Sequence, residues 1–214
     1  MIHGFIDGDL LGNAAVLVHI VLACVISFCG PLQLIPQLRA KFPVFHRWNG
    51  RAYIITSLVI SVAAIYSIWS REAVIGGVIG QIGTSLDGVL IILCAIMAVR
   101  FAMARQLKGH RRWALRLFIV VAGVWFFRVI RGFWIFINDG TSPGTNGSLT
   151  GPFDLILNFA GYLFPLLMLE IYFRIKANGA PAAQYTLASV IFILTGAMGI
   201  GIYSAGHIFW LPNI

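Results

Sequence analysis

The sequence predicts an all-α fold, a polytopic transmembrane helix bundle of about six spans that forms a single integral membrane domain over residues 1–214. Composition is the first indication, because 59% of the residues are hydrophobic and only 10% are charged. In a soluble domain, about 25% of the residues are charged. The apolar residues are also grouped into long runs, and these runs lack the alternation typical of a membrane β-barrel.

Six apolar runs are long enough to cross a bilayer, which takes about 20 residues per helix. They are Ala14–Leu38, Ala52–Trp69, Leu86–Ala104, Leu117–Ile137, Phe153–Phe173 and Tyr185–Trp210. Each is expected to be a helix, because lipid cannot satisfy exposed backbone polar groups. The apolar stretch Val74–Ile82 is too short to span, and it fits a re-entrant segment, an interfacial segment or an extension of the third span.

The charged residues indicate the orientation of the spans. Twelve of the 15 Lys and Arg residues lie in the last turns of spans one, three and five or in the segments after them: Arg39, Lys41, Arg47, Arg51, Arg100, Arg105, Lys108, Arg111, Arg112, Arg116, Arg174 and Lys176. The opposite side carries six of the 7 acidic residues: Asp7, Asp9, Glu72, Asp87, Asp139 and Asp154. Because cytoplasmic loops carry an excess of Lys and Arg, we expect the basic side in the cytoplasm and both termini outside.

Two cytoplasmic junctions have similar sequences, HRWNGRAYII before span two and HRRWALRLFIV before span four. Both contain the pattern W-x-x-R-x-[YF]-I, in which Trp48 and Arg51 match Trp113 and Arg116. Repeated patterns at a fixed offset indicate repeated structural units. Spans one–two and three–four are therefore predicted to be a duplicated helical hairpin.

Two interpretations of these junctions stay open. Trp at the membrane interface and Arg at anionic headgroups would simply anchor the helices. Alternatively, His46 and His110 face each other and bind a ligand, since histidine titrates near neutral pH and ligates metals and haem readily. The candidate residues of this cytoplasmic interface are His46, Arg47, Arg51, His110, Arg111 and Arg112.

The stretch WFFRVIRGFW (Trp125–Trp134) places two arginines inside an apolar run. In a straight span that begins at Leu117, Arg128 would lie about 17 Å and Arg131 about 21 Å into a hydrocarbon core about 30 Å thick. An arginine that faces lipid at this depth is costly. We therefore expect both side chains to face the interior of the bundle and to have polar partners.

Depth predicts one partner. Spans three and four are expected to form an antiparallel hairpin that turns near residues 108–110, which brings Asp87 to the level of Arg131 and predicts an ion pair. Other polar residues fall in the same outer layer and indicate either a structural hydrogen-bond network or an outward-facing pocket for an anionic or lipid-like ligand. The candidate ligand-binding residues are Arg128, Arg131, Asp87, His19, Trp125, Asn158 and Tyr162.

Several motifs resemble, in order, those of a bacterial family of predicted membrane proteins of unknown function: GNAAVLVH, GPLQLIPQLR, HRWNGRAY, HRRWALRLF, GVWFFRV, TGPFDLILNFAGYLFPLLMLEIYFR and WLP. The resemblance covers nearly the whole chain and implies a bacterial cytoplasmic (inner) membrane location. It implies no activity. The motif positions that it supports are His19, Gln33, His46, Arg47, Arg51, His110, Arg111, Arg112 and Arg128.

Three functions remain open on the sequence. The first is a non-catalytic binding or accessory subunit, because the sequence contains no nucleophile–base pair, metal motif or phosphate loop. The second is an electron-transfer protein that binds b-type haem or quinone, since helix bundles hold such cofactors between facing histidines. The candidate axial ligands are His19, His207, His46 and His110. The third is a small-solute transporter.

The expected partners follow from the charge distribution. Membrane lipids are expected, together with a partner in a membrane complex or a second copy of the chain. Nucleic acid is not expected, because the positive charges sit in short loops between apolar runs. No metal site is predicted, and the balance of the sequence leans away from an enzyme.

Overall fold

The computed structural model describes residues 10–70 and 76–210, and every regular element in these ranges is a helix. The α-helices are α1 (Leu10–Leu34), α2 (Pro36–Lys41), α3 (Pro43–Ser70), α4 (Gly77–Met103), α5 (Leu107–Val121), α6 (Gly123–Ile137), α7 (Pro152–Asn178) and α8 (Pro181–Ala205). A π-helical turn, Gly206–Trp210, follows α8. The predicted all-α fold is confirmed. Both chain termini lie outside the described ranges, so their outer position stays a prediction.

Four helices are long and apolar enough to cross a membrane within the described residues, namely α3, α4, α7 and α8. A fifth span is formed if α5 and α6 are taken together. Helix α1 is also apolar and contains 25 residues. These helices coincide with the six apolar runs, so the structure is consistent with a bundle of about six spans.

The fourth span differs from the continuous helix that its apolar run predicts. It begins already at Leu107 and bends by 53° where α5 meets α6. Ala122 leaves helical geometry there, with a ψ of 2°, and the residue that follows is glycine. Broken backbone at membrane depth is tolerated where it is buried in protein or lines a cavity. The bend therefore indicates a place where the interior of the bundle is polar or open.

Most of the short apolar stretch Val74–Ile82 is an extension of the third span, which is one of its three interpretations. Helix α4 begins at Gly77, so residues 77–82 extend the third span at the end of the bundle that is predicted to face outwards, which we call the outer end. Gly76 has a φ of +87°, which glycine adopts without strain, and its N–H donates to Ser148 O at 2.8 Å. Residues 74–75, at the start of the stretch, lie outside the described residues.

The buried core lies where α3, α4 and α5 meet. It contains Tyr53 from α3, Cys94 and Ala95 from α4, and Leu117 and Val120 from α5. In a bilayer these side chains stabilise the bundle mainly through close packing, because lipid is as apolar as the core. This core packs α5 against α4 on the side of the bend that the charge distribution predicts to be cytoplasmic, and we call this end of the bundle the cytoplasmic end.

Helix α6 packs closely against α8 through glycine. A Cβ atom on Gly132 would lie 2.5 Å from Gly201 O and 2.9 Å from Ala205 N, so the two backbones are in direct contact. Small residues allow such approach between membrane helices. The face of α6 that carries Gly132 therefore packs against α8. This contact fixes the rotation of α6 about its axis and so the directions in which Arg128 and Arg131 point.

Candidate functional site

Four polar residues form a stripe that winds along helix α7. Asp154, Asn158 and Tyr162 follow one another at intervals of four residues, and each step turns by only about 40° from the last, so these three share one side of the helix. Glu170 lies about 160° round the helix from Asp154, so the stripe winds about the helix axis. All four are buried or partly buried. At 1.5 Å per residue, Asp154 and Glu170 are about 24 Å apart along the helix. The stripe thus runs from the outer end of the bundle to the cytoplasmic end.

The outer part of this stripe borders a cavity of about 380 Å³. Its wall comes from α3, α4, α6, α7 and the two outer connections: Ser67, Ile68, Gly76, Gly80, Gln81, Thr84, Asp87, Gly123, Val124, Phe127, Leu149, Asp154, Asn158 and Tyr162. Because the wall includes the last turn of α3 and the first turns of α4 and α7, the cavity lies in the half of the bundle expected to face outwards. We call it the outer cavity.

Asp87 lies beside the bend between α5 and α6. A Cβ atom on Gly123 would be 3.2 Å from Asp87 Oδ2, so glycine leaves room for the carboxyl group at the bend. The other oxygen, Oδ1, is buried and accepts no hydrogen bond from any described residue. A buried carboxyl group needs a hydrogen-bond donor, a cation or a proton. Among the described residues of the cavity wall, Asp87 is therefore the carboxyl group that makes the fewest hydrogen bonds and ion pairs.

Asp154 is the second carboxyl group of the outer cavity, and it is only 1% exposed. Its Oδ2 accepts a hydrogen bond of 2.9 Å from the N–H of Asn146, which ties the outer loop to the start of α7. Its Oδ1 lies 3.8 Å from Arg131 Nη1, within ion-pair distance but too far for a hydrogen bond. Arg131 is thus the counter-charge of Asp154.

The predicted Asp87–Arg131 pair is therefore wrong. The prediction treats α4 and span four as straight antiparallel helices and matches residues by depth. The bend at Ala122 invalidates that arithmetic, because it brings Gly123 rather than the level of Arg131 against Asp87. Asp154 takes the place of Asp87 as the partner of the arginine.

Tyr162 and Asn158 join α7 to α4. The hydroxyl group of Tyr162 donates to Gly83 O at 3.0 Å, and this bond is buried. A Cβ atom on Gly83 would clash with Asn158 Oδ1, so a glycine at this position admits the amide. Of the predicted ligand-binding residues, the structure brings Asp87, Asn158 and Tyr162 together around one cavity.

Arg128 does not face the interior of the bundle, so that expectation is wrong. Its side chain is exposed on the surface of α6, with no hydrogen-bond or ion-pair partner among the described residues. Trp125 is also exposed, by 36%, and packs edge-on against Phe126. Three residues along a helix turn by about 300°, so Arg128 and Arg131 differ by about 60° in direction. The side chain of His19 lies outside the described residues.

The two cytoplasmic junction motifs have the same local geometry. The guanidinium group of Arg51 lies 4.8 Å from the ring centroid of Trp48, and that of Arg116 lies 4.5 Å from the ring centroid of Trp113. Both distances are within cation–π range. Arg116 differs from Arg51 in one respect, because it also forms a two-point ion pair with Glu170, with Nη2 3.0 Å from Oε2.

The histidines of these motifs are both partly buried. His46 Nδ1 is buried and has no hydrogen-bond partner among the described residues, whereas His110 Nδ1 lies 2.9 Å from Ala98 O. Arg47, Arg51, Arg111 and Arg112 are exposed around them. His207, at the other side of the membrane, is exposed and packs edge-on against Tyr203. Within the described residues, no group of three or more His, Cys, Asp or Glu side chains has the geometry of a metal site.

Comparison with known proteins assigns the chain to a family. Residues 16–146 match the family model described as Predicted membrane protein (DUF2306). The chain belongs to this family. No curated protein and no solved structure matches it. The family is one of unknown function, so it supports a multi-pass membrane protein and leaves the role of the outer cavity to be argued from its geometry.

Proposed function

We propose that the protein is a non-catalytic membrane protein that binds a ligand in the outer cavity. The observation that carries this proposal is Asp87 Oδ1, which is buried in the cavity wall and accepts no hydrogen bond from the described residues. An intramembrane ionisable group is a functional candidate by default. A polar group left unsatisfied beside a cavity is a natural contact for a ligand donor, since pairing would remove its desolvation penalty.

The charge of the cavity wall favours a ligand with a cationic or donor-rich head. The anionic ligand expected from the sequence would need Arg128, but Arg128 is not part of the wall. Two carboxyl groups line the cavity instead, and among the described residues only Asp154 lies within ion-pair distance of an arginine. Ile68, Val124 and Phe127 supply apolar surface beside them. We therefore propose a small amphipathic molecule that places its cationic group on Asp87.

A matched pair of probes tests the charge preference directly. Benzamidinium and benzoate have nearly the same size and shape, but the first is a cation with N–H donors and the second an anion. The detergent-purified protein should bind benzamidinium at least about tenfold more tightly than benzoate, as expected for a charge-assisted contact. Isothermal titration calorimetry measures both affinities. Tighter binding of benzoate would overturn the proposed ligand class.

Substitution of the carboxyl group tests the site. Asp87→Asn should lower benzamidinium affinity about tenfold, the cost of about 1.4 kcal/mol of lost interaction. Asp139→Asn is the matched control, because Asp139 is an exposed acid on the same side with a φ of +52°, a conformation that asparagine accepts. Equal losses in the two variants would mean that overall charge, and not the outer cavity, attracts the cation.

A transporter is the second candidate, and the bend between α5 and α6 favours it. Discontinuous helices border the substrate sites of many transporters. Towards the cytoplasm, the outer cavity is followed by an apolar layer that contains Cys94, Leu117 and Leu166. Uptake of labelled benzamidine into proteoliposomes is the test. Saturable uptake that Asp87→Asn abolishes would favour transport, whereas binding without uptake would favour the proposed role in ligand binding alone.

The proposed partners are membrane lipids and a second copy of the chain or another membrane subunit. The exposed Arg128 and Trp125 on α6 support this, because a charged side chain on a membrane-facing surface needs a headgroup or a polar partner. Native mass spectrometry of the protein from lipid nanodiscs tests the association. Arg128→Gln should shift any complex towards the monomer, and an unchanged distribution would assign Arg128 to lipid headgroups.

A further inference from the structure

A groove at the cytoplasmic end of α5 and α7 is distinct from the outer cavity. Its volume is about 710 Å³. The charged residues of its wall are Arg112, Arg116, Glu170 and Arg174, and its apolar residues include Phe173 and Ile175. Basic side chains beside apolar ones complement an anionic lipid, in which a negatively charged headgroup is joined to apolar chains. We infer that this groove binds the phosphate headgroup of an anionic phospholipid.

Charge pairing within the groove leaves two cations for a ligand. Glu170 accepts two hydrogen bonds from Arg116, and these two groups satisfy each other. Arg112 and Arg174 have no ion-pair partner among the described residues. The groove thus keeps a net charge of about two positive units after its internal pair is counted, which suits a phosphodiester and its neighbouring oxygens.

The position of the Arg112 guanidinium group is suited to binding an oxyanion. Its guanidinium group lies 5.1 Å from the ring centroid of Phe173, on the neighbouring helix. A guanidinium group stacked on an aromatic face keeps the N–H groups at its edge free for bidentate contacts with phosphate oxygens. Arg174 is exposed one residue after Phe173, on the same end of α7. The two free guanidinium groups therefore border the same opening.

The position of the groove favours a lipid over a free anion. It lies on the basic side of the bundle, where the ends of α5 and α7 meet the headgroup region of the cytoplasmic leaflet. Phe173 and Ile175 offer apolar contact to the glycerol and the first methylene groups of a lipid. Inorganic phosphate would gain only the polar contacts. A lipid is expected to bind more tightly for this reason.

Short-chain lipids make the inference testable in detergent solution. The probes are dihexanoyl phosphatidylglycerol, the zwitterionic dihexanoyl phosphatidylcholine, and inorganic phosphate, each titrated and followed by native mass spectrometry. The wild-type chain should bind the anionic lipid at least about tenfold more tightly than either of the other two probes. Equal binding of the two lipids would overturn the role of charge, and equal binding of inorganic phosphate would overturn the assignment to lipid.

A pair of double variants localises the effect. Arg112→Gln with Arg174→Gln removes the two free cations and leaves the Arg116–Glu170 pair intact, and it should lower anionic-lipid affinity about tenfold. Arg39→Gln with Lys41→Gln is the matched control, because both residues are exposed on α2 and also lie on the cytoplasmic side. Melting temperatures establish that both variants are folded. An equal loss in the control, or retained affinity in the groove variant, would overturn the site.

Discussion

The two ends of the polar stripe on α7 use the same kind of group in opposite ways. At the cytoplasmic end, Glu170 is bonded twice to Arg116, which in turn lies over Trp113. At the outer end, Asp154 has only a loose contact with Arg131, and Asp87 beside it has an oxygen with no partner at all among the described residues. The charged groups at the cytoplasmic end satisfy one another, whereas those at the outer end do not satisfy one another fully.

This difference separates structural charges from functional candidates. A paired intramembrane charge is explained by the stability of the bundle, because the partner offsets much of its desolvation. An unpaired one reduces stability unless something else binds it, and natural proteins accept such costs where function requires them. This contrast is the reason why we propose the outer cavity as the site of ligand binding.

Removal of Asp154 should have the largest effect on stability. Asp154→Ala leaves Arg131 without its counter-charge and removes the acceptor of the Asn146 N–H, so we expect a loss of about 3 kcal/mol in the free energy of unfolding. Denaturant titration in detergent micelles measures it, with the exposed Asp139→Ala as control. A loss no larger than that of the control would mean that Asp154, like Asp87, has no partner that stabilises the fold.

Separation of the cytoplasmic pair should cost somewhat less. The side chains of Arg116 and Glu170 are 19% and 33% exposed, so water screens part of the interaction. Arg116→Gln is expected to lower the free energy of unfolding by about 2 kcal/mol, and Glu170→Gln by a similar amount. The double variant, Arg116→Gln with Glu170→Gln, completes a double-mutant cycle that measures the coupling energy of the pair. If the two losses simply add, the pair contributes no coupling and the comparison between the two ends fails.

Crowding the bend should have a moderate effect. In Gly123→Ala, the new Cβ atom would lie 3.0 Å from Tyr162 Cβ and 3.2 Å from Asp87 Oδ2. We expect a loss of about 1 kcal/mol in stability from overpacking, together with weaker benzamidinium binding because the methyl group occupies space beside the carboxyl group. Gly140→Ala, in the outer loop, has open space around the glycine but a φ of +83°, so it reports the cost of backbone strain alone.

The smallest effect on stability is expected at Asp87. Asp87→Asn changes a carboxyl group whose Oδ1 makes no hydrogen bond to the described residues, so the free energy of unfolding should change by less than about 0.5 kcal/mol. The loss of benzamidinium affinity in the same variant would sharpen the contrast with Arg116→Gln. A large loss of stability would instead show that Asp87 has a structural partner and would remove the main support for the binding site.

Part of the outer cavity can be predicted from the sequence. Counting residues from the membrane surface places Asp87, Asn158 and Tyr162 in one outer layer, and they do line one cavity. The spacing of Asp154, Asn158 and Tyr162 on α7 is a further signal, because it places the three on one side of the helix, which depth alone does not show. Periodicity is reliable here because α7 is one helix through its whole length, including Pro165.

The partners of the arginines cannot be predicted in this way. Counting along span four assumes one straight helix, whereas Ala122 and Gly123 form a 53° bend. No local feature of the sequence indicates the bend, since glycine within a membrane helix is common. The close contact of α6 with α8 at Gly132 then sets the direction of the arginines, so that Arg131 contacts Asp154 and Arg128 lies on the surface.

By itself, the sequence determined the helical class of the fold, the approximate positions of the spans and their expected orientation. These properties follow from local composition, because lipid requires every spanning segment to satisfy its own backbone hydrogen bonds. Tertiary structure alone decided which charges meet and which remain unpaired. A charged side chain finds its partner across helices, so its pairing depends on bends and glycine contacts that act between segments far apart in the chain.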